Sequence, residues 1–93
     1  MLEEAFIKLF IMSWNEIAGN YNEYLDFWNK NLEEGDELLR HKIRLLMAAT
    51  NKGKIKEFDG ELMIMVMDYI KVCESGKLAI RFYDGTEFEC ETE

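Results

Sequence analysis

The sequence contains no proline and only one histidine, and its two cysteines, Cys73 and Cys90, lie far apart. The absence of proline removes the strongest helix breaker, so long uninterrupted helices are allowed. Two cysteines without a Cys-x-x-Cys pair are too few for a disulfide framework. A zinc site would need both of them together with His41, and these residues fall on elements that the sequence pattern does not bring together. We therefore expect no cofactor and no metal ion.

Long apolar runs and an excess of basic residues are missing too. No segment approaches the length of a membrane-spanning helix, and Met1-Leu2-Glu3-Glu4 lacks the basic residues that open a signal peptide. These absences favour a cytoplasmic protein. The formal net charge of −8 disfavours non-specific attraction to nucleic acid or to anionic membranes. We therefore expect no membrane binding and only weak DNA binding by the chain alone.

The sequence does contain enough apolar residues for one small folded domain. Of its 93 residues, 48% are hydrophobic, which is ordinary for a globular protein. A chain of this length is expected to form a single domain over 1–93, with a small core that a partner would help to bury. We predict an α+β fold in two parts, a helical hairpin arm over 1–52 and a helix followed by an antiparallel β-meander over 57–92.

The first part is predicted to be a hairpin of one long helix and one shorter helix. Apolar residues, mostly aromatic, recur at alternating spacings of three and four, as on one face of a helix. We call this stripe the aromatic seam; its members are Phe10, Trp14, Ile17, Tyr21, Tyr24 and Trp28. The segment is either one long helix or two helices broken near Gly19, and one long helix with a weak point at Gly19 is preferred. Gly35 suits the C′ position after the long helix, in the left-handed region, and Asp36 suits the N-cap of the shorter helix.

The second part is predicted to open with a third, buried helix. Asp59 suits the N-cap of this helix, and the residues that follow are apolar almost all round. Three segments of alternating polarity come next, separated by tight turns at Ser75-Gly76 and Asp84-Gly85, and they indicate an antiparallel meander. One face of this meander is expected to be buried, with Ile70 and Val72 on it.

No group of residues indicates catalysis. Nucleophilic catalysis needs a nucleophile, a base within reach and a group that orients the base. His41 stands between Arg40 and Lys42 on a charged helix, where a surface position is expected, and neither Ser13 nor Ser75 has a base nearby. We therefore predict that the chain is not an enzyme and has no small-molecule substrate.

Two sets of residues remain as candidate sites. One interpretation of the aromatic seam is that it packs on the shorter helix as core. The other is that part of it forms an interface with another chain, because the shorter helix is too short to cover all of it. As an interface it would join two copies in a dimer, which Trp28→Ala would dissociate without unfolding the chain. The second set is a basic stretch that no acidic residue interrupts, interpreted either as DNA-facing or as a solvated helix and loop. Its members are Arg40, Lys42, Arg44, Lys52, Lys54 and Lys56.

Residues 58–89 read FDGELMIMVMDYIKVCESGKLAIRFYDGTEFE. The order is a phenylalanine and an acidic residue at a helix start, a helix that runs into a strand, a turn with glycine, and a strand that ends in an aromatic residue before Asp84-Gly85-Thr86-Glu87. This pattern resembles the extreme C-terminal part of the large serine recombinases, which include the serine integrases. The opening Leu2-Glu3-Glu4-Ala5-Phe6 is similar to the helix that follows the zinc ribbon in that family.

The resemblance implies a part in site-specific DNA recombination and integration by a mobile element such as a transposon. The family's catalytic domain and its zinc ribbon with paired cysteines have no counterpart in this chain. The resemblance therefore implies a non-catalytic C-terminal fragment. In the family a coiled-coil arm joins recombinase subunits, and the α/β piece closes the second DNA-binding domain. The implied partners are other subunits, with DNA bound only by the full-length parent. The alternative is a free-standing regulatory module that binds another protein through the aromatic seam.

Overall fold

The computed structural model describes residues 2–91 of the chain. Among these residues, four α-helices and a 3-10 turn precede three strands. They are α1 (Leu2–Gly19), α2 (Tyr21–Glu34), α3 (Glu37–Ala49), the 3-10 turn (Thr50–Lys52), α4 (Gly60–Val66), β1 (Met67–Val72), β2 (Lys77–Phe82) and β3 (Glu87–Glu91). This order confirms the predicted α+β fold, in which a helical hairpin is followed by a β-meander.

The long first helix of the prediction is two helices. Asn20 leaves the helical conformation, with φ −118° and ψ 35°, and its side-chain amide donates to the carbonyl of Glu16 at 2.8 Å. The preceding Gly19 has a weak helical preference, and the Asn20 side-chain amide is a second donor to the Glu16 carbonyl, which also accepts the Asn20 backbone N–H at 3.2 Å. The prediction of one continuous helix is therefore wrong, and the hairpin consists of α2 and α3.

Gly35, at the tip of that hairpin, is required for space rather than for a left-handed backbone. Its φ is −78° and its ψ 164°, which is an extended conformation. A Cβ atom at this position would lie 2.6 Å from the carbonyl oxygen of Asn31 and 2.8 Å from a methyl carbon of Leu39. The predicted left-handed turn is therefore wrong, although the glycine is in the predicted place.

Both predicted aspartate caps are present. Asp36 accepts a hydrogen bond from the backbone N–H of Leu39 at 2.8 Å and begins α3. Asp59 accepts from the N–H of Leu62 at 3.1 Å and begins α4. The Leu62 N–H, and after it the hydrogen bond from the Lys52 ammonium, hold the pKa of Asp59 below its ordinary value, because both favour the ionised carboxylate.

Helix α4 is shorter and less buried than predicted. It ends at Val66, because the Val66 carbonyl accepts the backbone N–H of Tyr83 at 2.9 Å, and β1 then follows at once. Leu62 and Val66 are fully buried, whereas Ile64 is 69% exposed. Only one face of this helix therefore belongs to the core.

The three strands form the predicted meander, in the order β1-β2-β3 with antiparallel pairing throughout. Gly76 and Gly85 close the two hairpins with φ of 84° and 91°, a conformation that residues with a Cβ rarely adopt. In the β2–β3 turn, the carbonyl of Phe82 accepts from Gly85 while its N–H donates to Thr86. Local turn chemistry thus sets the register of the sheet.

One cluster of buried residues joins the helices to the sheet. Helix α1 packs on β2 and β3, α2 packs on α3, and α3 packs on α4. Phe82 lies at the centre of the cluster, with ring centroids 6.1 Å from Phe10 of α1 and 5.8 Å from Phe88 of β3. The helical part and the sheet part of the prediction therefore share a single core.

Candidate functional site

The aromatic seam lies inside the chain. Four of its six members are fully buried: Phe10, Trp14, Ile17 and Trp28. Tyr21 and Tyr24 are half-buried and pack against the same core. The prediction that part of the seam stays uncovered is wrong for those four, because α3 is not the only cover. The sheet covers the α1 half of the seam, and α3 covers the α2 half.

Trp28, the last member of the seam, connects the hairpin arm to the Asp-Gly-Thr turn. Its indole N–H donates to a carboxylate oxygen of Asp84 at 2.7 Å, and both residues are buried. The other carboxylate oxygen of Asp84 accepts the backbone N–H of Thr86 at 2.9 Å. Asp84 is 7% exposed, and each oxygen of its buried carboxylate has a hydrogen-bond donor. We call this contact the arm–turn junction.

The two tyrosines of the seam surround the junction. The rings of Tyr21 and Tyr24 lie 6.1 Å and 5.9 Å from that of Trp28. Burial raises the pKa of Tyr24, and the neighbouring Asp84 carboxylate raises it further, because both disfavour a phenolate. The tyrosine therefore stays neutral, and the junction is a packed structural contact.

A cleft of about 370 Å³ lies beside the junction, between the arm and the sheet. The Lys42 ammonium lies 3.7 Å from one carboxylate oxygen of Asp68 and 5.6 Å from the ring centroid of Tyr83. Arg81 lies 3.9 Å from the other oxygen of Asp68 and 3.2 Å from Glu87. The cations of this cleft are thus compensated by carboxylates, and the cleft has no excess charge for an anionic ligand.

The basic stretch is divided between α3 and the segment before α4. Lys42 is paired with Asp68 beside the sheet, and Lys52 is paired with Asp59 at 3.1 Å in the loop before α4. The remaining members are Arg40, which is half-buried, and Arg44, Lys54 and Lys56, which are exposed. The stretch continues from α3 into the loop before α4, and two of its six cations are paired with carboxylates.

That loop is fixed to α1 by hydrogen bonds that the sequence pattern does not indicate. The side chain of Asn15 accepts the N–H of Ile55 at 2.7 Å and donates to the Ile55 carbonyl at 2.8 Å. The indole N–H of Trp14 donates to the carbonyl of Gly53 at 2.9 Å. An asparagine beside a buried tryptophan on an apolar helix is a signal for such a contact, but the sequence does not name the partner.

Cys73, Cys90 and His41 are not assembled into a site. Both cysteines are half-buried thiols without a disulfide, and His41 is exposed on α3. Within residues 2–91, no group of three histidine, cysteine, aspartate or glutamate side chains could hold a metal ion. The expectation of a chain without a metal stays a prediction.

Apolar residues of β1 are exposed, contrary to expectation. Ile70 is 39% exposed and Val72 59%, although both were assigned to the buried face of the meander. Tyr69, on the other face, is 43% exposed. The helical layer covers β2 and β3 and leaves this edge strand uncovered.

Comparison with known proteins gives no match. No family model matches the chain, and no curated protein and no solved structure matches it either. In the part of the chain that the structure describes, no helix combines the length and the hydrophobicity needed to cross a bilayer.

Proposed function

We propose that this chain is the non-catalytic C-terminal part of a mobile-element site-specific recombinase. In this proposal the α2–α3 hairpin is a short arm that contacts other recombinase subunits, and α4 with the sheet supports the DNA-binding domain. The protein acts in the cytoplasm on DNA integration, and it contacts DNA only within the full-length parent.

The observation that carries the proposal is the arm–turn junction. The Asp-Gly-Thr turn is the most specific element of the pattern that resembles the recombinases, and Asp84 of this turn accepts the indole N–H of Trp28 in the arm. Buried polar pairs of this kind hold two elements in a fixed orientation. An arm that transmits contacts between subunits needs a rigid connection to the domain from which it extends, and the junction supplies one.

The exposed residues of the arm are its candidate contacts. Phe27, in the middle of α2, is 45% exposed, and Leu38, in the first turn of α3, is 63% exposed. Aromatic side chains such as Phe27 are enriched at the buried centres of protein interfaces, and Leu38 is a second exposed apolar side chain of the arm. They replace the aromatic seam as the surface through which the arm would meet another subunit.

The test uses the full-length protein, including the part that is encoded upstream of this sequence. That frame is expected to continue into paired cysteines and a catalytic serine. In the full-length recombinase, Phe27→Asp and Leu38→Asp should each reduce the joining of two DNA sites by about tenfold or more, the effect of losing ~1.4 kcal/mol of contact energy. Binding to a single DNA site should stay unchanged, because the arm does not contact it. Gel-shift assays of both complexes measure the two effects.

The matched control is Met12→Asp. Met12 is 57% exposed and lies on α1, outside the arm, so it introduces the same charge without touching the candidate contacts. If the Met12 variant loses synapsis to the same extent, or if the arm variants keep it, the arm is not the subunit contact. A stop codon immediately before Met1 would argue against the recombinase itself and for the alternative, a free-standing interaction module.

A free-standing interaction module would have to bind its partner through a surface other than the aromatic seam. The aromatic seam is mostly core, so a regulatory module would have to bind through residues that remain exposed, such as those of β1. A single exposed strand does not by itself favour this function over the recombinase.

A further inference from the structure

β1 is an edge strand of the sheet and carries exposed apolar side chains. Ile70 pairs with Ile80 and Val72 pairs with Leu78, so all four side chains lie on the same face of the sheet. Ile80 and Leu78 are buried, whereas Ile70 and Val72 remain 39% and 59% exposed. The apolar face of the sheet therefore extends from the buried residues of β2 onto exposed residues of β1.

The backbone of β1 points outward at the same two residues. The N–H of Cys73 donates to the carbonyl of Lys77 at 2.8 Å, and in an antiparallel pair the bonded positions alternate. Tyr69 and Lys71 are then bonded to β2, and Ile70 and Val72 direct their N–H and C=O groups away from the sheet. β2 lies between β1 and β3, so in residues 2–91 no strand pairs with this edge.

The opposite edge of the sheet is protected by charge. The N–H of Phe82 donates to the carbonyl of Thr86 in the second hairpin. By the same alternation, the β3 residues whose N–H and C=O groups point away from the sheet are Glu87, Glu89 and Glu91. Two copies that met along β3 would place carboxylates close together, which is destabilising. β1 carries one lysine and one aspartate over its six residues and has no such barrier.

We propose that two copies of the chain pair antiparallel along β1, with Ile70 of each copy at the two-fold axis, to form one continuous six-stranded sheet. This register places Tyr69 of each copy opposite Lys71 of the other. A register centred on Lys71 would place two ammonium groups opposite each other. The outward N–H and C=O groups of Ile70 then bond to their counterparts, and the two apolar layers become continuous. This dimer is independent of the recombinase proposal, because it follows from the edge strand alone.

The test compares two proline variants by analytical ultracentrifugation. The mass of the wild-type chain should rise with concentration from 11.0 kDa to twice that value at high micromolar concentration. Ile70→Pro should stay monomeric, because it removes the outward N–H at the two-fold axis, and proline is tolerated at such edge positions. Glu89→Pro makes the same change at an outward position of β3 and should still dimerise. Circular dichroism checks that both variants are folded.

A cross-linking experiment tests the register and does not depend on the proline variants. In a Cys73→Ser, Cys90→Ser background, Ile70→Cys should form a covalent dimer on oxidation. The two Cα atoms would lie about 5.5 Å apart, within the range of a disulfide. Val72→Cys should not form one, because its two copies would lie about 13 Å apart along the strands.

Three results would overturn the proposal. If the wild-type chain remains monomeric at high micromolar concentration, the proposed dimer does not form. Loss of dimer in Glu89→Pro but not in Ile70→Pro moves the contact to the other edge. Equal cross-linking of the Ile70 and Val72 cysteine variants excludes the register. None of these results bears on the arm variants Phe27→Asp and Leu38→Asp, so failure of this inference and failure of the recombinase proposal are distinguishable.

Discussion

Phe82→Ala is expected to lower the free energy of unfolding by about 3–5 kcal/mol, the usual cost of truncating a buried phenylalanine. Phe82 is fully buried on the central strand, with its ring between those of Phe10 and Phe88. Folded proteins have about 5–15 kcal/mol of stability in total, and a domain this small is expected near the low end of that range, so the variant should retain little stability. Urea denaturation followed by circular dichroism measures the loss.

Phe27→Ala is the matched control for this change. It removes the same side chain from α2, where Phe27 is 45% exposed, and exposed substitutions usually change stability by about 0.5 kcal/mol or less. Equal losses in the two variants would mean that Phe82 is not the central core residue. A Phe82 variant that melts like the parent would refute the packing of the sheet against α1.

Trp28→Ala is expected to unfold the arm and to destabilise the whole domain by about 3–5 kcal/mol. The substitution removes a fully buried ring and leaves one oxygen of the buried Asp84 carboxylate without its donor. This outcome replaces the expectation from the sequence, in which Trp28→Ala dissociates a dimer and keeps the fold. That expectation required Trp28 on the surface, and the residue lies in the core.

Trp28→Phe separates the two contributions of the indole. It keeps most of the ring packing and removes the N–H, so its cost should be about 1–3 kcal/mol, the penalty for a buried acceptor that loses its partner. Thermal and urea denaturation of both variants give the comparison. If Trp28→Phe is as stable as the parent, the hydrogen bond to Asp84 does not hold the arm to the turn. If Trp28→Ala stays fully folded, the seam is not core.

The parts of the fold that could be predicted from the sequence depend on neighbouring residues. Asp36 and Asp59 cap helices because their carboxylates reach N–H groups three residues ahead. Gly76 and Gly85 close hairpins because each turn needs a positive φ. Contacts of this range are encoded in a few adjacent residues, and for this reason the order of helices and strands was predicted correctly, although the first predicted helix is two helices.

The parts that could not be predicted depend on residues far apart in the chain. Trp28 and Asp84 are separated by 56 positions, and Asn15 and Ile55 by 40. The periodicity of the seam shows that its residues share a helix face, but it does not show that the sheet returns to cover α1. The same limit applies to Ile70 and Val72, whose alternation indicates a shared face without telling whether a helix lies over it.

The measurement that most directly tests the intramolecular burial of the aromatic seam is tryptophan fluorescence of the diluted chain. The only two tryptophans are Trp14 and Trp28, both in the seam and both fully buried. Their emission should stay at short wavelength and resist quenching by iodide at every concentration, and also in the monomeric Ile70→Pro variant, because each chain covers its own seam. Emission that shifts to longer wavelength and becomes quenchable on dilution, while the circular dichroism stays unchanged, would mean that a second chain covers the seam and would contradict this structure.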